Sequence, residues 1–234
     1  MTRVADGAET NTGTRRVVAV IQARLSSSRF PRKSIASFRG KPMILHVIDR
    51  VRQVPSVDAV VAVVPTDDTA LIEVLRSADL DGIVQGDERD VLMRFWLAAM
   101  RYRADVVMRV TGDCPLWSPS AGEGVLQAFL HDDQERSFWS NDTTMSGWPD
   151  GTDAEVFSLE LLRRARHARS TLTASDREHD TTWMRRAEDE RCGVYTRPTD
   201  DLSRLKLSVD TITDLLRIEP LPAQHYEERH RIHE

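Results

Sequence analysis

Two continuous runs of β-branched and small apolar residues, Val17–Ile21 and Ala59–Val64, constrain this chain more than any other feature in it, and Asp105–Val110 reads as a further strand of the same set. A strand without polar alternation is buried on both faces, which is the situation of a parallel sheet covered by helices above and below. The intervening segments supply those helices. Apolar positions recur at helical spacing over Met43–Val54, which is entered through Pro42, and over Ala70–Leu80, which follows a turn at Pro65–Thr69. Asp90–Arg103 places Leu92, Phe95, Trp96 and Ala99 on one helical face, and Ile83–Val84 reads as a short strand before it. Strands and helices alternating at this size predict an α/β fold, a right-handed Rossmann-like and mostly parallel sheet.

After residue 135 the rhythm becomes mixed. Short strands are predicted at Ser137–Ser140, Glu155–Phe157 and Gly193–Thr196, with helices near 158–169 and 177–188. A last strand at Arg204–Val209 and a helix from Thr213 follow. No Gly/Ser or Pro-rich linker and no repeat divides the chain, so a single domain over 15–220 is expected. Residues 1–14 are polar and lack the apolar core of a signal peptide, and read as a disordered lead-in; 221–234 reads as a polar tail. His225, His230 and His233 in that tail lack the HExxH spacing that puts two imidazoles on one helical turn. Two distant cysteines, Cys114 and Cys192, argue against a disulfide framework and for a reducing cytoplasm. The apolar runs fall well short of the roughly 20 residues that span a bilayer, so no membrane partner is expected.

A formal charge of −5 disfavours a nucleic-acid partner. The distribution is more informative than the total. Thr10–Ile48 contains no Asp or Glu but holds Arg15, Arg16, Arg24, Arg29, Arg32, Lys33, Arg39 and Lys41, while the rest of the chain carries 24 basic against 37 acidic residues. The chain has three lysines, Lys33, Lys41 and Lys206, and a lysine kept in an arginine-rich chain hints that a compact ammonium is wanted there. Ligands of open parallel sheets sit outside the C-terminal strand ends. Three polar clusters fall at such ends: the loop QARLSSSRFPRKS, the turn TGDCP and the triplet VDT. The loop suits a polyphosphate, while Asp113 and Asp210 suit Mg²⁺, which takes one or two carboxylates plus phosphate and water oxygens. The bland alternatives are a solvated loop paired with surface acids, and aspartates serving as helix caps or turn residues. Gly40-Lys41 is not a Walker A motif, and no GxGxxG is present.

The segment QARLSSSRFPRKS…GKPMILHVIDR resembles the signature loop of cytidylyltransferases of the spore coat polysaccharide biosynthesis F type, relatives of the KDO and acylneuraminate cytidylyltransferases. Further matching pieces are Gln85-Gly86-Asp87 with Asp90-Val91-Leu92, ADVVMRVTGDCPL, PDGTDAEVF, Arg177-Glu178-His179 and LSRLKLSVDT, which run from about Val17 to Leu216. The resemblance implies a nucleotide-diphospho-sugar transferase (GT-A-like) sheet with a mixed inserted second half, CTP as co-substrate, a divalent cation and a homodimer. It assigns Gln22, Ala23, Arg24, Ser26, Arg29 and Lys33 to the nucleotide loop, and Gly86, Arg109, Thr111 and Gly112 to the rest of the nucleotide site. Asp113 and Asp210 become metal ligands. Asp150, Asp153, Glu155, Arg177, Glu178 and His179 fall where the acceptor enters. Three departures stand out: Phe30-Pro31-Arg32-Lys33 replaces the usual Leu-Pro-Gly-Lys, Trp117-Ser118-Pro119 replaces Ile-Asp-Pro, and Asp180 follows His179.

The expected reaction is metal-assisted transfer of CMP to an anionic acceptor, a sugar acid or a small phosphonate, with release of pyrophosphate. Arg24, Lys33, Asp113 and Asp210 are the expected catalytic set, and Asp153 or Glu155 would be the base for a hydroxyl acceptor. A GT-A-like glycosyltransferase would use a DxD-type pair, whereas TGDCP has one Asp. A non-catalytic nucleotide-binding regulator is the rival from another class.

Overall fold

The computed structural model describes residues 15–141, 146–168, 172–178, 180–188 and 191–221. The readings of 1–14, of 222–234 with its three histidines, and of His179 lie outside the described residues. The strands are β1 (Val17–Gln22), β2 (Ser37–Phe38), β3 (Lys41–Pro42), β4 (Ala59–Pro65), β5 (Gly82–Gly86), β6 (Val106–Thr111), β7 (Phe138–Ser140), β8 (Glu155–Ser158) and β9 (Cys192–Val194). The helices are α1 (Met43–Val51), α2 (Thr69–Leu75), α3 (Val91–Tyr102), α4 (Pro119–Leu130), α5 (Leu159–His167), α6 (Ala174–Glu178), α7 (Asp180–Glu188) and α8 (Ile212–Ile218).

The main sheet has the order β5-β4-β1-β6-β8-β7-β9, and β2 and β3 form a separate antiparallel pair. The first four strands of that order are parallel, and the antiparallel β8 joins them to β7 and β9. This is the mostly parallel α/β sheet with a mixed second half that the sequence predicts. Its two-sided burial is visible within β1. Val17, Ala19 and Ile21 pack with α1, α2 and α4 through Ile44, Leu71 and Leu126 on one face. Val18 and Val20 pack with α3 and α5 through Phe95 and Leu161 on the other. Among the described residues no helix is long and apolar enough to cross a membrane.

Three predictions need correction. Arg204–Val209 is not a strand. The stretch touches a neighbour in ladder fashion at a single bridge, Lys206 with Asp150. The edges of β6 are already taken by β1 and β8, so the segment crosses above the sheet end. There its backbone donates from Val209 N–H to the Asp113 carbonyl at 3.0 Å. Leu207 and Val209 bury instead in a small cluster with Phe38, Met43 and Leu215. Helix α2 stops at Leu75 rather than Leu80, where the Ser77 hydroxyl turns back onto the Val74 carbonyl. The predicted helix 177–188 begins earlier, as α6 at Ala174, because Thr173 and Asp176 cap each other reciprocally.

Helix α4 is an element that sequence periodicity did not reveal. Its entry explains the second family departure: Ser118 is the N-cap, its Oγ accepting from Ala121 N–H at 3.2 Å, and Pro119 opens the helix. Trp117 is fully buried beneath it, over Gly122, where a Cβ would lie 2.2 Å from the indole. Replacing Ser118 with Ala removes the cap and is expected to destabilise the chain by about 1 kcal/mol in chemical denaturation. An unchanged midpoint would contradict the capping role.

Candidate functional site

The C-terminal ends of β1, β4 and β6 lie side by side because β1 pairs with β4 on one edge and β6 on the other. The loops leaving them therefore converge, as expected at the crevice of an open sheet. The loop after β1 is fixed at several points. Leu25 N–H donates to Asp68 at 2.8 Å, the Ser34 hydroxyl donates to the Arg24 carbonyl at 3.0 Å, and Ser26 bonds Glu88. Arg32 takes a left-handed conformation, φ 62°, which is the backbone geometry that the usual glycine of this loop would adopt without a Cβ penalty. The turn after β6 is tight. A Cβ on Gly112 would lie 2.9 Å from the Ala23 Cβ and 3.1 Å from the Gln22 carbonyl, so only glycine lets the two loops touch.

These loops enclose a cleft of about 330 Å³ whose lining includes Gln22, Arg24, Ser26, Arg29, Lys33, Thr111, Gly112, Asp113 and Asp210. At its base the Lys33 ammonium donates to Asp113 Oδ2 at 2.7 Å and to the Val209 carbonyl at 2.8 Å, and lies 3.6 Å from Asp210 Oδ1. Arg29 donates to the same Asp210 oxygen at 2.8 Å. Burial pushes the Asp113 carboxyl up. The Lys33 charge and hydrogen bond, helped by Thr111 and Cys114, outweigh that and leave it below the usual aspartate range. Two carboxylates thus converge on one cationic centre. Their hard oxygens suit a divalent ion, with the ammonium now standing where positive charge is required, and a Mg²⁺ ion there would complete its shell with phosphate and water oxygens.

A second cavity, about 190 Å³, adjoins the first through Thr111 and is lined by Arg109, Ser140, Asp153, Glu155 and Arg185. Glu155, at the start of β8, is only 7% exposed at its side chain and is gripped from two sides, by Arg109 at 2.5 Å and Arg185 at 2.7 Å. Arg109 also donates to the Gln22 side-chain carbonyl at 3.1 Å, tying this cavity to β1. Burial raises the Glu155 carboxyl, but the two guanidiniums more than reverse it. A carboxylate so stabilised in its charged form is a weak base. Asp153 is positioned through Trp117, whose indole N–H donates to the Asp153 carbonyl at 2.9 Å.

The sequence-predicted residues therefore divide. Asp153, Glu155 and Arg109 share the second cavity, so Arg109 faces the expected acceptor side. Ala23 lines the main cleft, but its N–H is committed to the Val63 carbonyl. Gly86, ending β5, is not among the residues lining that cleft, and a Cβ on it would meet Arg94 at 2.8 Å. Arg177 lines a third hollow with Arg24, Glu88 and Arg89. Asp150 accepts from the Ser208 hydroxyl at 3.0 Å and holds the 206–208 segment rather than facing either cavity. The side chain of Glu178 lies outside the described structure. Lys41 pairs with Asp49 on α1, away from the cleft. Sequence reasoning missed Arg185 and Lys206. For Lys206 a signal existed, as one of three lysines in the chain.

A profile of the cytidylyltransferase family matches residues 18–229. A 3-deoxy-manno-octulosonate cytidylyltransferase of Anaeromyxobacter dehalogenans is 36% identical over 116 residues, 49% of this chain and 47% of that protein, so the match spans about half the relative's length. The structure of a cytidylyltransferase from Leptospira borgpetersenii superposes with a TM-score of 0.80 at 24% identity, covering 88% of this chain and 85% of that one. A CMP:2-keto-3-deoxy-manno-octonic acid synthetase complexed with CTP superposes with a TM-score of 0.66 at 20% identity, covering 89% and 99%. Both share this fold.

The buried Arg109–Glu155–Arg185 cluster makes stability pH-dependent. Because the folded carboxyl lies below its ordinary value of about 4.3, its contribution is complete above that pH and disappears as pH falls through the depressed value. Glu155→Gln should cost roughly 3 kcal/mol at neutral pH, leaving two guanidiniums without their charge partner, and should lack this acid limb. Urea titrations at a series of pH values check it. A variant whose pH profile parallels the wild type contradicts the assignment.

Proposed function

The chain belongs to the cytidylyltransferase family and is a CTP-dependent nucleotidyltransferase; on that premise we propose that it transfers CMP to an anionic acceptor and releases pyrophosphate. The observation that carries the proposal is the convergence of Asp113, Asp210 and Lys33 at the floor of an arginine-lined cleft. In this reading Arg24, Arg29 and Lys33 hold the triphosphate, the arginines as forks and the lysine as a point charge. Asp113 and Asp210 would hold a divalent cation, Mg²⁺ by its preference for carboxylate, phosphate and water oxygens. When bound, that ion supplies charge neutralisation at the α-phosphate.

An acceptor oxygen attacks the α-phosphorus in line, forming a P–O bond while the bond to the β-phosphate oxygen breaks. The electron pair leaves on pyrophosphate, whose charge Arg29 and Lys33 take up. Positioning and electrostatics dominate such a step. The acceptor enters through the second cavity, past Thr111, where Arg109 and Arg185 suit an anionic group. A phosphate or phosphonate oxygen is already an anionic nucleophile and needs no base. A sugar hydroxyl would lose its proton to Asp153, since Glu155 is held in its charged form by its two arginines.

Two acceptor classes fit, KDO-like sugar acids and small phosphonates. The reading includes a subfamily near the spore coat F type, supported by the loop from Gln22 to Lys33, a single catalytic domain over 15–220, a homodimer and a cytoplasmic location. The test is pyrophosphate release with CTP across a panel of both acceptor classes. Asp113→Asn should lower turnover by more than about 100-fold while leaving the fold intact by circular dichroism. Near-wild-type turnover in that variant would sink the proposed metal role.

A further inference from the structure

Asp210 is surrounded by three cations, and the sequence and family readings account for two of them. Arg29 and Lys33 approach Oδ1, whereas the Lys206 ammonium donates to Oδ2 at 2.9 Å. We infer that Lys206 is a positioning residue for the proposed reaction: it holds Asp210 by Oδ2 so that Oδ1 stays turned toward Asp113. The inference rests on the nucleotidyl-transfer reading, because the orientation of Asp210 matters chemically only if its carboxylate serves the proposed metal site.

Lys206 Nζ also donates to Asp214 Oδ2 at 3.3 Å. Asp214 is rigid, since it closes the capping box of α8 and accepts from the Thr211 N–H at 2.9 Å and the Asp210 N–H at 3.1 Å. The backbone of Lys206 is fixed independently. It bridges Asp150, and the next N–H, of Leu207, donates to the Asp150 carbonyl at 2.6 Å. Gly151, at φ +96°, presses against that segment so closely that a Cβ would lie 2.4 Å from the Ser208 nitrogen. On the far side Arg217 donates to the Lys206 carbonyl at 2.6 Å. Both ends of the Lys206 side chain are thus anchored before it reaches Asp210, and the helix cap braces the carboxylate through it. A partner that orients a metal-binding carboxylate in this way contributes to affinity without touching the ion.

Removing the ammonium frees Oδ2. Asp210 can then rotate to give both oxygens to Arg29 and Lys33, the cations that must release it. Lys206→Met should weaken Mn²⁺ binding in the presence of CTP by about tenfold, read from the free-ion signal in electron paramagnetic resonance. CTP affinity without metal should stay within about twofold, and in turnover kcat should fall while the KM for CTP holds. Lys206→Arg, which keeps a cation between Asp210 and Asp214, should restore Mn²⁺ binding to within about threefold. Simple charge repulsion predicts the opposite sign, tighter Mn²⁺ binding in Lys206→Met, and that result overturns the inference. A loss of thermal stability with unchanged Mn²⁺ affinity, or an arginine variant no better than the methionine one, also overturns it. A wild-type chain that binds no Mn²⁺ with CTP fails the functional reading itself and takes the inference with it. Wild-type binding with an indifferent Lys206→Met variant fails only the inference.

Discussion

The Lys33 ammonium is the contact on which the arrangement at the top of the sheet depends. It ties the loop after β1 to the turn after β6 through Asp113, and to the 206–210 segment through the Val209 carbonyl and Asp210. Without a cation between them the two carboxylates would repel. With it, the charged groups of three chain segments are joined at one half-buried point. Under the proposed reaction the same charges exchange partners: Lys33 moves from carboxylate to phosphate and the aspartates from ammonium to metal. The cleft is therefore preorganised, because similar charge pairs exist before and after loading.

The sheet decides where everything else can go. β1 is central and parallel to both neighbours, so its loop alone borders the ends of β4 and β6. The antiparallel β8 enters beside β6 and delivers Glu155 next to Arg109, which creates the second cavity one residue pair away from the first. Glu155 is locked there by two arginines, and Asp153 is set by the buried Trp117. The residues at 117 and 118, which depart from the family pattern, support the second cavity from within: Trp117 bonds the Asp153 carbonyl and Ser118 caps α4.

The parallel strands were legible because continuous β-branched runs have few other ways to be buried. The cleft was legible because the eleven residues from Ala23 to Lys33 contain no acid and begin at the C-terminal end of a strand. What escaped depends on contacts distant in sequence. Arg204–Val209 has the composition of a strand, yet both edges of the neighbouring strand are taken, and no local pattern reports that. Helix α4 was hidden because PSAGEGVLQAFL carries two glycines and a weak apolar stripe, although the Ser118-Pro119 start signal was present. Arg185 could not be placed because it acts on a carboxylate thirty residues away, whereas Lys206 lies only four residues before Asp210 and was passed over because its stretch reads as a strand, in which that spacing carries no pairing signal. The pairing of Glu155 with two arginines likewise emerges only when β6, β8 and α7 are assembled.

The most direct measurement is anomalous diffraction from crystals grown with Mn²⁺ and a non-hydrolysable CTP analogue. The account predicts a single strong peak within coordinating distance of Asp113 and Asp210, with the Lys33 ammonium withdrawn from Asp113 and seated on the phosphates. A peak held by other residues, or a nucleotide bound while Lys33 still bridges the two aspartates, would contradict it.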